Sequence, residues 1–203
     1  MLKSLLVNDK NVVQLVGSQH NGSLSDGCEG YPGYIISQVS DKGKTALPIY
    51  RPNVVTLLVG TNDMKYGYAS GAPERLGNLT DLIFSSAPDA TLLVSKLPPN
   101  TVAATNDLIL TYNKALEGVV KARADKGKHI LLVDNYSPIK VPDDMSDDTH
   151  TNDVGYVKIA NVWYKGLQVA VENGWIKDPV AVPSSTTLVR VTATGDAKAQ
   201  VSP

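Results

Sequence analysis

Four short runs of β-branched residues and leucine constrain this chain most: Val12-Val13-Gln14-Leu15-Val16, Val54-Val55-Thr56-Leu57-Leu58-Val59, Thr91-Leu92-Leu93-Val94-Ser95 and Ile130-Leu131-Leu132-Val133. Each is too short for a typical helix. Each is almost continuously apolar, the pattern of a strand covered on both faces rather than one. Longer stretches with helical patterning lie between and after them, over residues 34–41, 73–86, 103–126 and 154–173. Pro73 sits where a helix start tolerates a missing N–H, and Gly127 sits where a helix end favours glycine. Strand and helix alternating in this way predict an α/β protein, a three-layer α/β/α sandwich around a parallel sheet with right-handed crossovers. Such sheets bind ligands at the carboxyl ends of their strands, so the loops after the strands are where chemistry belongs.

The 203 residues suit one domain, read here as 1–177, followed by a Pro/Ser/Thr/Ala-rich stretch over 178–203 that reads as a linker or tail. Lys and Arg number 19 against 20 Asp and Glu, a net charge of −1. Without a basic stripe, nucleic acid is not expected as a partner. No apolar run approaches the roughly 20 residues of a membrane helix. A single cysteine, Cys28, excludes an intrachain disulfide and a multi-cysteine zinc site. The three histidines, His20, His129 and His150, lack ligand-type spacing, so neither a metal nor a cofactor is expected. The first ten residues carry Asp9 in a short, mixed apolar stretch. They read as the end of an amphipathic helix rather than a signal peptide, as though the chain begins inside a fold unit.

The loops after the expected strands hold the polar residues of interest. The second strand runs into Gly60-Thr61-Asn62-Asp63, where the Asn62 amide can donate to a developing oxyanion. Gly33, in Glu29-Gly30-Tyr31-Pro32-Gly33-Tyr34, opens a helix and can offer a second donor through its backbone N–H. The fourth strand leads through Asp134-Asn135-Tyr136 to Asp147-Asp148-Thr149-His150, just before the last helix. A carboxylate three residues before an imidazole, in a turn, can hold Nδ1–H and leave Nε2 to act as a general base. Taken one by one, such residues are more often solvated loop positions or turns. Their common placement at strand ends gives them joint meaning.

These segments resemble the SGNH (GDSL-type) hydrolase family, most closely its acetyl-xylan-esterase-like carbohydrate esterase branch. The resemblance rests on Leu15-Val16-Gly17-Ser18-Gln19, the run from Asp26 to Tyr34, Gly60-Thr61-Asn62-Asp63, and Asp147-Asp148-Thr149-His150 followed by Gly155, Tyr156 and Trp163. It implies a serine ester hydrolase acting on a small ester or acetylated carbohydrate, outside the cell. It also implies His150 as base, Asp147 as its orienting acid, and Asn62 and Gly33 as oxyanion donors. Cys28 stands where that family usually has His or Asn. Tyr31, Tyr34, Tyr66 and Tyr68 follow strand ends and fit either sugar stacking or ordinary loop packing.

One part of the resemblance fails. The family's nucleophilic serine follows a central strand in a Gly-Asp-Ser turn, and that block does not precede the helix beginning near Met1. The tail holds a short match, Leu188-Val189-Arg190-Val191-Thr192-Ala193-Thr194-Gly195-Asp196-Ala197, with Ala197 where the serine is expected. Read as a circular permutation, this segment supplies the central strand and an altered nucleophile position. Read as chance, it is a tail. Ser18, Ser23 and Ser25 sit on no strand-to-helix elbow. Two functions therefore stand side by side: an SGNH esterase, and an SGNH-fold module that binds carbohydrate or ester ligands without turnover.

Overall fold

The computed structural model describes residues 1–20 and 26–180. The element order is α1 (Leu2–Asn8), β1 (Gln19–His20), β2 (Gly27–Cys28), α2 (Ile36–Tyr50), β3 (Val54–Leu57), α3 (Thr61–Lys65), α4 (Ala72–Ser86), β4 (Thr91–Lys96), α5 (Ala103–Ala124), β5 (Ile130–Asp134) and α6 (Asp153–Glu172). Strands β3, β4 and β5 form a parallel sheet in that order, with Val54 opposite Thr91 and Leu92 opposite Ile130. The short strands β1 and β2 pair antiparallel as a separate ribbon.

Side-chain alternation along β4 builds the layers. Leu92 and Val94 enter one core with Leu76, Leu79, Ile83 and Phe84 of α4 and Ile109, Tyr112 and Leu116 of α5. Leu93 turns to the opposite face, where Val133, Trp163 and Leu167 meet Leu2 and Leu6 of α1. The sheet thus lies between α2, α4 and α5 on one side and α1 and α6 on the other, a three-layer α/β/α arrangement. Thr91–Ser95 is buried throughout, which explains why its sequence shows no polar alternation.

The first expected strand is absent. Residues 11–17 form no regular element, and the parallel sheet has three described strands rather than four. Val12 is 66% exposed and Leu15 is 41% exposed. A β-branched run becomes a strand only where a neighbouring backbone completes its ladder. Among the described residues nothing lies between this run and β3 to do so. The helix expected from Tyr34 starts instead at Ile36 and continues to Tyr50, through Gly43 and Pro48, because its inner face packs on α4. The loop expected after β3 coils into the short helix α3. Among the described residues no helix is long and apolar enough to cross a membrane.

Candidate active site

Asp147 and His150 meet in the turn before α6. His150 Nδ1 lies 2.8 Å from Asp147 Oδ2, and Asp147 Oδ1 accepts from the backbone N–H groups of Thr149 and His150, each at 2.7 Å. The backbone N–H of His150, its ring and the N–H of Thr149, in that order, hold the Asp147 carboxyl well below the usual carboxylate range. With Nδ1 engaged, Nε2 is the remaining ring nitrogen, and His150 lines a large cleft. The turn is closed by the N–H groups of Ser146 and Asp147, which both donate to the His150 carbonyl, and by the bridge between Met145 and Thr151. Asn152 then caps α6 by accepting from Gly155 N–H at 3.1 Å.

The loop after β4 clamps this turn from the side. Thr101 N–H donates to the Asp148 carbonyl at 3.1 Å, and its hydroxyl donates to the Asp148 carboxylate at 2.5 Å. Asn100, 6% exposed, donates to the Thr149 hydroxyl at 3.2 Å. Neither residue stands out in the sequence. Their only sign is position, directly after a strand end.

Asn62 begins the second turn of contacts. It sits in α3, lines the same cleft as His150, and its Nδ2 donates to the Tyr34 carbonyl at 2.9 Å. That bond ties Asn62 to the loop of Gly33, whose φ of +81° favours glycine. Gly33 does not open a helix as expected, since α2 begins three residues later. Its N–H has no protein acceptor among the described residues, and it too lines the cleft. Asp63, given no role by the sequence reading, fixes both pieces. Fully buried, it accepts from Ile36 N–H at 2.9 Å and from Arg75 Nη2 at 2.9 Å. Arg75 donates in turn to the carbonyls of Ser70 and Tyr68. Under α3, Gly60 has φ +120°, and a Cβ there would lie 2.9 Å from the Tyr112 ring.

The cleft has a volume of about 2560 Å³. Asn62, Gly33, Tyr34, Tyr66, Thr149 and His150 lie along it at the carboxyl end of the sheet. Tyr31 stacks on Tyr34 with ring centroids 5.0 Å apart, and Tyr66 is 54% exposed. Tyr68 is exposed but does not line the cleft. Ser18 is held by Glu29 and Tyr31. Ser23, Ser25 and Ala197, the other candidates for the nucleophile position, lie outside the described residues.

Residues 10–158 match the GDSL-like Lipase/Acylhydrolase family. The chain belongs to that family. Among curated proteins it is similar to endoglucanase X of Acetivibrio thermocellus, 35% identical over 64% of this chain and 56% of the relative. It is also similar to a multidomain esterase of Ruminococcus flavefaciens, 25% identical over 77% of this chain and 24% of the relative. The chain thus spans about half of the first relative's length and a quarter of the second's. Among solved structures, a Clostridium thermocellum family 3 carbohydrate esterase superposes with a TM-score of 0.74 at 32% identity, covering 87% of each chain. The acylhydrolase family and the α/β fold expected from the Gly-Thr-Asn-Asp and Asp-x-x-His segments are therefore those of this chain.

Proposed function

We propose that this chain carries the base and oxyanion elements of a serine-type ester hydrolase that removes acetyl groups from carbohydrate. The observation that carries the reading is the 2.8 Å contact between Asp147 and His150 Nδ1 on a cleft shared with Asn62 and Gly33. In such a site a serine hydroxyl gives its proton to Nε2 while its oxygen bonds to the acetyl carbon. The carbonyl oxygen takes the negative charge and accepts from Asn62 Nδ2 and Gly33 N–H. Collapse breaks the bond to the sugar oxygen, which takes the proton back from His150. Water, activated by the same imidazole, then releases acetate. The likeness to a carbohydrate esterase supports the substrate class. An acetylated polysaccharide lies outside the cell, so the same reading places the protein there.

A second reading has its own support. No described residue has been assigned the hydroxyl this reaction needs, and the Tyr31–Tyr34 stack and Tyr66 offer faces to a sugar along the cleft. In that reading the module binds carbohydrate without cleaving it. Turnover of p-nitrophenyl acetate decides between them. Activity that falls about 10²–10⁴-fold in His150→Ala supports the hydrolase. An inactive parent that still binds acetylated xylo-oligosaccharide supports the binding module, and activity untouched by His150→Ala overturns the assignment of the base.

A further inference from the structure

The described part of the molecule leaves one edge of its parallel sheet uncovered. Strand β3 pairs with β4 on one side only. Val54, Val55 and Leu57 are half-buried, Thr56 is exposed, and Leu58 beyond them is 40% exposed. An edge of this kind presents unpaired N–H and C=O groups to any strand that fits. The cleft of about 2560 Å³ runs along it and lies at the level of the sheet. One wall is Leu2 and Leu6 of α1 with Trp163 and Leu167 of α6, and the other is Ala46 and Leu47 of α2. Apolar helix faces on both sides of an empty position are what a buried parallel strand requires.

The path of the chain names an occupant. After α6, Thr91 Oγ1 donates to the Trp175 carbonyl at 3.1 Å, and Asn53 Nδ2 donates to the Lys177 carbonyl at 2.7 Å. The backbone has therefore returned to the amino end of the sheet, beside the first residues of β3 and β4. Asp178, Pro179 and Val180 already line the cleft. A strand continuing from there runs parallel to β3. Its crossover from β5 through α6 keeps the hand of β3–α4–β4, since both the face and the direction of travel are reversed. Beyond Val180 the sequence has one run rich in strand formers, Leu-Val-Arg-Val-Thr-Ala at 188–193. Six residues span about 20 Å, the length of β4, and residues 178–187 give ample reach.

We propose that residues 188–193 add to the free edge of β3 as a parallel strand of the same molecule, filling the cleft between α2 and the α1–α6 layer. The proposal is independent of the esterase reading. NMR of the full-length protein tests it. Backbone NOEs between 188–193 and 54–57, with amide exchange in 188–193 slowed about a hundredfold relative to free chain and unchanged on dilution, are expected. Val191→Pro, which removes a ladder donor, should abolish both while the amides of Leu76 and Leu116 stay protected. If that variant unfolds altogether, the parent's NOEs still decide. Free-chain exchange in 188–193 would overturn the proposal. So would protection without NOEs to β3, or protection lost on dilution together with a dimer, which would make a second copy the occupant.

Discussion

At His150 and Asp147 the geometry is local, set by a turn of four residues whose carboxylate accepts two backbone N–H groups as well as the ring. Those bonds depress the Asp147 pKa in the folded protein. A depressed carboxyl contributes stability above its unfolded value, about 3.9, and loses that contribution only as pH falls through the lower folded value. The Asp147 carboxyl carbon shift should therefore stay flat in NMR from pH 8 down to about 4. A titration step above that range would show that the contact with His150 does not hold in solution. Gly60 is the residue most constrained by its backbone. Gly60→Ala should cost about 1–3 kcal/mol in urea denaturation, from strain at φ +120° and the clash with the buried Tyr112.

At the scale of elements, Asp63 joins what the sequence keeps apart. One carboxylate receives the first N–H of α2 and the guanidinium of α4, and it precedes the second turn of α3. The Gly33 loop and Asn62 inherit their spacing from that junction. Asp63→Ala leaves a buried cation and an amide unpaired and should destabilise the protein by about 3 kcal/mol, measured by chemical denaturation. Asp63→Asn, which keeps an acceptor for one of the two donors, should cost less. If the two variants are equally stable, the ion pair is not what holds α2 to α4. The Thr101–Asp148 clamp does similar work for the His150 turn, and it too joins residues far apart in sequence.

For the whole molecule, the cores on the two faces of β4 carry the stability. Leu93, wholly buried between the sheet and α6, should cost about 2–5 kcal/mol as Leu93→Ala. A loss under 1 kcal/mol would mean that α6 and the sheet do not pack as described. The filled edge of β3 has a catalytic corollary. A parallel strand over 188–193 ends toward the carboxyl side of the sheet, where Asn62 and His150 lie, and Ala197 follows it closely. A methyl group cannot attack an ester, so Ala197→Ser should bring measurable p-nitrophenyl acetate turnover that His150→Ala then removes. No gain in a variant whose strand NOEs persist would place the nucleophile elsewhere.

Apolar runs too short for helices determined the α/β class directly, because only strands covered on both faces tolerate residues such as 91–95 without polar alternation. The spacing within Asp147-Asp148-Thr149-His150 likewise determined its own contact, since a turn this short brings the two side chains together whatever surrounds it. Residues 12–16 show the limit. They have the composition of a strand, yet a strand exists only with a partner, and composition says nothing of whether the neighbouring position is filled. The helix start at Ile36 depended on Asp63, 27 residues away, so no local signal near Gly33 could place it. Asn100 and Thr101 reach the His150 turn only because β4 and β5 lie side by side. Short-range hydrogen bonding is written in the sequence, whereas pairing across the sheet depends on which distant backbone the packed layers bring alongside.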